Sequence, residues 1–157
     1  MEIRRDVYLN ELIIRMHNGM IKVITGIRRC GKSYLMNSLF YRYLTESVTD
    51  DSHILRFAFD SADDLARIGE DPIELAREKR KVSPAKFMRF VSEQFPKEGT
   101  FYLLLDEIQE LDCFEAVLNG YLRNPQLEIY VTGSNSRFLS TDVLTEFEGR
   151  GDEIRIY

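Results

Sequence analysis

The chain has 157 residues, of which 44% are hydrophobic and 30% charged, and its formal net charge is −5. This length and composition predict one globular domain with a hydrophobic core, and the acidity argues against indiscriminate nucleic-acid binding by the whole surface. The two cysteines lack the spacing of a zinc site and the apolar runs are far shorter than a membrane span, so we expect a cytoplasmic protein without a membrane segment.

Two elements are predicted before residue 26. Apolar side chains recur at helical spacing in the first twenty residues, which predicts a helix packed against a sheet. They are Tyr8, Leu9, Leu12, Ile13 and Met16. The short β-branched run of Ile21, Val23 and Ile24 then predicts the first strand.

The next eight residues, 26–33, fit the phosphate-binding pattern G-x-x-x-x-G-K-[ST] at every fixed position. Gly26 and Gly31 would let backbone N–H groups turn toward a phosphate at the start of the following helix. Lys32 would reach the β- and γ-phosphates, and the Ser33 hydroxyl would ligate Mg²⁺. The predicted nucleotide-binding residues of this segment are Gly26, Ile27, Arg28, Arg29, Cys30, Gly31, Lys32, Ser33 and Tyr34.

Residues 53–95 predict a second strand followed by short helices. The strand covers His53–Phe59, and Asp71-Pro72 and Ser83-Pro84 each have the form of an N-cap followed by proline at the first helical position. This region also holds the basic cluster of the chain: Arg77, Lys79, Arg80, Lys81, Lys86 and Arg89. Because Phe87 and Phe90 lie among these residues at core spacing, we favour a solvated helix face and keep a nucleic-acid patch as a minor hypothesis.

The run 101–105 is apolar at every position and ends in Asp106-Glu107. Such a run predicts a central parallel strand buried on both faces, so that the two carboxylates emerge at the edge where α/β sheets bind ligands. Asp106 suits the coordination of Mg²⁺, and Glu107 is placed to orient an attacking water. After this strand, Asp112 and Glu115 predict a capping box, with Cys113 packed in the helix that follows.

The last third of the chain predicts two more strands. Residues 127–131 form the fourth, and small polar side chains follow it, among which Ser134 and Asn135 are candidates to sense the γ-phosphate or hold the water. A short helix over residues 140–147 leads to Gly149-Arg150-Gly151, and a fifth strand is predicted to begin at Ile154.

The segments GIRRCGKS, LLLDEIQ, YVTGSNS and Gly149-Arg150 together resemble the AAA-like ATPases of bacteria and archaea that carry a C-terminal region of poorly understood function. The resemblance implies a nucleotide site formed by Lys32, Ser33, Asp106, Glu107, Asn135 or Ser134, and Arg150. Gln109 matches the D-E-I-Q run of that family. The resemblance also implies that residues 1–157 are the ATPase core of a longer protein, whose effector would lie downstream.

We therefore predict a three-layer α/β P-loop NTPase fold with a mostly parallel sheet of about five strands. It would bind Mg²⁺ through Ser33 and Asp106 and hydrolyse ATP to ADP, with Lys32, Glu107 and Asn135 in catalytic roles. Arg150 would act as an arginine finger on a neighbouring copy in a homo-oligomer, so that turnover by a single chain would be weak. Two alternatives remain open, a nucleotide-binding switch without turnover and a P-loop small-molecule kinase.

Overall fold

The computed structural model describes residues 2–26, 31–133, 147 and 149–156. The helices are α1 (Glu2–Ile14), α2 (Lys32–Tyr34), α3 (Tyr41–Ser47), α4 (Ala62–Arg67), α5 (Pro72–Glu78), α6 (Pro84–Gln94) and α7 (Phe114–Tyr121). A π-helical segment, Leu35–Phe40, joins α2 to α3. The strands are β1 (Ile21–Thr25), β2 (Ile54–Ala58), β3 (Phe101–Asp106), β4 (Leu127–Thr132) and β5 (Gly151–Arg155).

The five strands form one parallel sheet in the order β2-β3-β4-β1-β5. Strands β1, β3 and β4 are buried along their whole length, because each has a strand on both sides and helices on both faces. All carboxyl ends of the strands lie at one edge of the sheet, which we call the carboxyl edge, and all amino ends lie at the other, the amino edge. The predicted α/β fold with a parallel five-stranded sheet is confirmed.

Two hydrophobic clusters, one on each face of the sheet, make this a three-layer structure. Side chains alternate between the faces along each strand, so Ile24, Tyr102 and Tyr130 pack with α1 and the helix over residues 32–47. The residues next to them in the strands pack with α4, α6 and α7 on the opposite face. The predicted first helix accordingly lies against the sheet through Leu12, which is fully buried.

The helices between β2 and β3 begin where the sequence predicts. Asp71 accepts a hydrogen bond from the Ile73 N–H and Ser83 from the Lys86 N–H, and a proline follows each of these N-caps. In the basic cluster, Arg80 and Lys86 form ion pairs with the buried carboxylate of Glu70. These two cations therefore stabilise the fold, which leaves less of the cluster for a nucleic-acid surface.

Three local predictions are wrong. Helix α7 begins after Cys113 instead of Asp112, because the Asp112 N–H donates to the Val82 carbonyl oxygen in a short bridge between chain segments. Cys113 has a left-handed backbone and is exposed, so it does not pack in the helix. Strand β5 begins at Gly151 instead of Ile154, because its backbone pairs with β1 through polar positions that carry no hydrophobic signal.

Candidate functional site

The ends of three neighbouring strands meet at the carboxyl edge of the sheet. Strand β1 ends at Thr25 and leads into Gly26, β3 ends at Asp106, and β4 ends at Thr132. Because β4 lies between β3 and β1, its last residue is placed between the glycine loop and the acidic pair. The topology thus brings together polar residues that are far apart in sequence.

The described ends of the glycine loop have the backbone that glycine permits. Gly26 has φ 149 and Gly31 has φ 95, and Gly31 immediately precedes the helix that begins at Lys32. A side chain at Gly31 would meet no atom within 4 Å, so its backbone angle is what requires glycine there. Lys32 is only 5% exposed, and its Nζ donates to the Gly26 carbonyl oxygen at 2.9 Å. The ammonium group therefore lies over the start of the loop.

A chain of hydrogen bonds fixes the Asp106 carboxylate. Ser33 Oγ donates to Asp106 Oδ2 at 2.7 Å, and Thr132 Oγ1 donates to the other oxygen, Oδ1. Thr132 also accepts the N–H of Glu107 at 3.1 Å. The sequence analysis did not single out Thr132, although a hydroxyl at the carboxyl end of a mostly apolar strand is a usable signal. Through Thr132, the Asp106 carboxylate and the Glu107 backbone are both hydrogen-bonded to β4.

Ser33 and Asp106 have the chemistry of a magnesium site. Hydroxyl and carboxylate oxygens are the hard ligands that Mg²⁺ prefers, and this ion usually keeps water and phosphate oxygens as its other ligands. Within the described ranges, no group of three or more His, Cys, Asp or Glu could hold a metal ion. Ser33 and Asp106 therefore supply two oxygen ligands that fit Mg²⁺.

Glu107 follows β3 in a left-handed backbone conformation, with φ 55. This conformation is uncommon outside glycine, and here the hydrogen bond from the Glu107 N–H to Thr132 helps to hold it. The side chain is part-exposed, and Gln109 Nε2 donates to its Oε2 at 2.5 Å. The carboxylate of Glu107 is thus directed by a neighbour that the sequence analysis noted only as part of a motif.

Arg150 lies at the amino edge, away from Lys32, Ser33 and Asp106. Its carbonyl oxygen accepts the N–H of Ile21 at 2.7 Å, and the next residue, Gly151, pairs with Ile21. The five residues of β1 separate this position from Gly26, a span of roughly 15 Å at the usual rise of a strand. The Arg150 side chain is exposed, and the fold does not bring it to Asp106 of the same chain.

Of the other predicted nucleotide-binding residues, the structure describes Tyr34. Tyr34 lies in the first turn of the helix after the loop and is 44% exposed. The remaining predicted residues lie outside the described part of the chain, and their roles stay predictions. They are Ile27, Arg28, Arg29, Cys30, Ser134 and Asn135.

A buried ion pair lies nearer the amino edge and was not predicted. Lys22 Nζ on β1 contacts Glu128 Oε1 on β4 at 2.9 Å, and the Tyr130 ring lies 4.8 Å from the same nitrogen. His17 donates its backbone N–H to the Glu128 carboxylate and shares a hydrogen bond with the Tyr102 hydroxyl. Burial lowers the pKa of Lys22 and raises that of Tyr102 to about 12. These contacts connect the loop after α1 to strands β1, β3 and β4.

Within the described part of the chain, none of the helices is long and apolar enough to cross a bilayer.

Sequence comparisons place the chain among known proteins. A family model described as an AAA domain matches residues 18–157. An uncharacterized protein of Haemophilus influenzae is 33% identical over 99% of this chain and 35% of its own length. An uncharacterized protein of Methanocaldococcus jannaschii is 24% identical over 94% of this chain and 28% of its own length. This chain therefore spans about a third of the length of these curated relatives.

Solved structures share the fold at low sequence identity. Drosophila ORC bound to AT-rich DNA and Cdc6 matches with a TM-score of 0.55 and 13% identity, over 97% of this chain and 53% of that chain. A DNA polymerase III gamma subunit-related protein of Thermotoga maritima has a TM-score of 0.58 and 10% identity, over 95% and 44%. Saccharomyces cerevisiae Hsp104 in complex with casein has a TM-score of 0.57 and 18% identity, over 99% and 26%.

Proposed function

This chain belongs to the AAA domain family, and from that premise we propose that it binds Mg·ATP and hydrolyses it to ADP and phosphate. The observation that carries the proposal is the 2.7 Å hydrogen bond between Ser33 and Asp106. It joins the end of the glycine loop to the end of β3, across 73 positions of sequence. A hydroxyl and a carboxylate brought together beside a buried lysine form the arrangement that P-loop ATPases use to hold a nucleotide and its metal.

The contacts of the described residues support a role for each of them. Lys32 already presents a buried ammonium to one oxygen acceptor, the Gly26 carbonyl, and would donate to phosphate oxygens of a bound nucleotide. Ser33 and Asp106 would hold Mg²⁺, which when bound offsets negative charge on the β- and γ-phosphates. Glu107 would accept a hydrogen bond from the attacking water and orient it in line with the leaving group.

Residues beyond this set would complete the site. Asn135 or Ser134, which follow β4, would contact the γ-phosphate or the water. Arg150 would serve a neighbouring copy in a homo-oligomer, because its place at the amino edge separates it from the nucleotide of its own chain. An arginine supplied in trans contributes about 10³ to 10⁵ in rate, so a single copy would turn ATP over slowly.

The relatives, of which this chain covers about a third, support the proposal that the domain drives further parts of a longer protein. We propose that hydrolysis energises or switches an unidentified downstream domain or partner, in the cytoplasm. A nucleotide switch without turnover and a small-molecule kinase remain alternatives to hydrolysis. Analysis of the products of labelled ATP separates the three, because they give unchanged ATP, a phosphorylated acceptor or free phosphate.

Two variants test the proposal. Lys32→Ala should weaken Mg·ATP binding by about 10- to 100-fold, because it removes a charge-assisted hydrogen bond from a buried site. Glu107→Gln should leave binding near the wild-type value and lower turnover by about 10²- to 10⁴-fold, because the amide is a poor base. Calorimetry measures binding, and phosphate release under excess protein measures turnover.

Lys97→Ala and Glu98→Gln are matched controls, since both residues lie in an exposed turn before β3, at the amino edge. Both controls should behave like the wild type. Wild-type turnover by Glu107→Gln would remove the role proposed for that residue, and unchanged binding by Lys32→Ala would remove the proposed site.

A further inference from the structure

Gln109 forms a direct hydrogen bond with the Glu107 side chain. It lies in the short 3-10 turn Ile108–Glu110, two residues after Glu107. Its side chain is buried, with the residue only 4% exposed, and its Nε2 donates to Glu107 Oε2. A buried amide therefore supports the part-exposed carboxylate to which we assign the positioning of water.

The oxygen of the same amide has no hydrogen-bond partner among the described residues. Gln109 Oε1 is buried and accepts no hydrogen bond from the described residues. Leaving a buried acceptor unpaired costs stability, and an apolar side chain of similar volume, such as methionine, would fill the space without that cost. Packing alone therefore does not account for glutamine at this position, whereas the hydrogen bond to Glu107 does.

The turn that carries Gln109 is held on both sides. The Glu110 N–H donates to the Glu107 carbonyl oxygen at 3.1 Å, and the Glu110 carbonyl oxygen accepts the Val82 N–H at 2.9 Å. The Asp112 N–H then donates to the Val82 carbonyl oxygen at 3.0 Å. Ile108 and Leu111 are fully buried in the core. Gln109 thus projects from a backbone that is fixed by the sheet and by the segment before α6.

The hydrogen bond from Gln109 acts on the carboxylate of Glu107, whereas the bond to Thr132 acts on its backbone. Thr132 holds the Glu107 N–H, but three side-chain bonds lie between that backbone and the carboxylate. A carboxylate that orients a water must keep one direction, since small misplacements of a catalytic group have large effects on rate. The bond from Gln109 restricts the carboxylate without adding a charge.

From these contacts we propose that Gln109 is a positioning residue, which holds the Glu107 carboxylate in the orientation that ATP hydrolysis requires. The inference rests on the function proposed above and adds a residue to it. Gln109 acts through Glu107 and does not itself contact nucleotide. Its loss should therefore affect turnover and leave the affinity for Mg·ATP intact.

The first test replaces Gln109 by methionine. Gln109→Met should lower single-turnover phosphate release by about 10- to 100-fold, while the dissociation constant of Mg·ATP stays within about twofold of the wild type. Gln126→Met is a matched control, because Gln126 also donates its side-chain amide, to the Pro96 carbonyl oxygen, but lies just before β4 at the amino edge. The control should retain wild-type turnover.

The second variant gives a signature that a structural defect would not produce. Gln109→Glu places a second carboxyl beside Glu107, and such a pair shares one proton with a raised pKa. The shared proton restores a donor to Glu107, so the turnover of this variant relative to the wild type should rise as the pH falls from about 8 to 6. A ratio that stays flat across this range would argue against the proposal.

A measurement on the folded wild type does not depend on turnover. One side-chain amide proton of Gln109 should be strongly deshielded in the NMR spectrum by the Glu107 carboxylate and should move upfield in Glu107→Ala. A resonance that does not respond would overturn the inference.

The kinetic outcomes separate this inference from the function on which it rests. Wild-type turnover by Gln109→Met, in a protein whose Lys32→Ala variant loses nucleotide, would remove the inference and leave the function. Faster turnover would show that Gln109 restrains Glu107, which also overturns the inference. A wild-type chain that binds no Mg·ATP would remove the proposed function itself.

Discussion

Glu70 is the residue whose replacement we expect to test the electrostatics of this fold most clearly. Glu70 lies in the segment between α4 and α5, and its fully buried carboxylate accepts hydrogen bonds from Arg80, from Lys86 Nζ and from the Ser83 N–H. Chiefly because of the hydrogen bonds from Arg80, the pKa of Glu70 falls from 4.5 to about 2. The ionised carboxylate therefore stabilises the folded state.

The size of this contribution follows from the two pKa values. Their difference corresponds to at most about 3 kcal/mol of folding free energy. The side chains of Arg80 and Lys86 are 36% and 42% exposed, so solvent screens part of the attraction. An amide at position 70 can also still accept the Ser83 N–H. We therefore expect Glu70→Gln to lower the free energy of unfolding by about 1–2 kcal/mol, or about 3–6 °C in melting temperature.

The two pKa values also determine how the contribution of Glu70 to folding stability changes with pH. Because the folded pKa lies below the unfolded one, the stabilisation is complete above about pH 5.5 and declines as the pH falls through 4.5 toward 2. The difference in stability between wild type and Glu70→Gln should shrink to about two-fifths of its neutral value at pH 3. Urea unfolding followed by circular dichroism at pH 7 and pH 3 measures both differences.

Glu78→Gln is the control, because Glu78 also pairs with Arg80 but is mostly exposed. Its effect should be within about 0.5 kcal/mol at both pH values. Equal losses for Glu70→Gln and Glu78→Gln would refute the reasoning, as would a Glu70→Gln difference that does not change between pH 7 and pH 3.

Two further predictions concern the amino edge of the sheet. Glu128→Gln should lower stability by about 3 kcal/mol in urea unfolding because it leaves the ammonium of Lys22 buried without its counterion, and adding Lys22→Met should recover most of the loss. If Arg150 acts in trans, specific ATPase activity should rise with protein concentration, and mixing Arg150→Ala with Glu107→Gln should restore some activity; a mixture as inactive as either variant would contradict this role.

Much of the fold could be predicted because local signals and packing agree. Asp71 and Ser83 each cap a helix at the position before a proline, and the uninterrupted apolar run of β3 is buried on both faces. The position of Asp106 could be predicted as well, because it follows the apolar run directly and the end of a buried parallel strand lies at the carboxyl edge of the sheet. The contact between Ser33 and Asp106 depends on strand order, which no local pattern specifies.

The features that escaped prediction depend on contacts between distant segments. Lys22 and Glu128 each interrupt an apolar strand, but only the side-by-side pairing of β1 and β4 shows that they form an ion pair. Asp112 does not cap α7, because its N–H donates to the carbonyl oxygen of Val82, which lies thirty residues earlier in the chain. Gln109 is an exception, because its partner Glu107 is only two residues away; that contact depends on the left-handed backbone of Glu107, which no sequence pattern indicated.

The parallel topology has one consequence that links the two edges. Because every strand runs in the same direction, the arrangement that gathers Ser33, Asp106 and Thr132 at the carboxyl edge also carries Arg150 to the amino edge. Roughly 15 Å of β1 lies between them, which is beyond the reach of an arginine side chain. Catalysis that used Arg150 would therefore need the amino edge of one copy to approach the carboxyl edge of another. Such a contact joins different surfaces of the two copies, so it would generate a ring or an open helical assembly instead of a two-fold dimer.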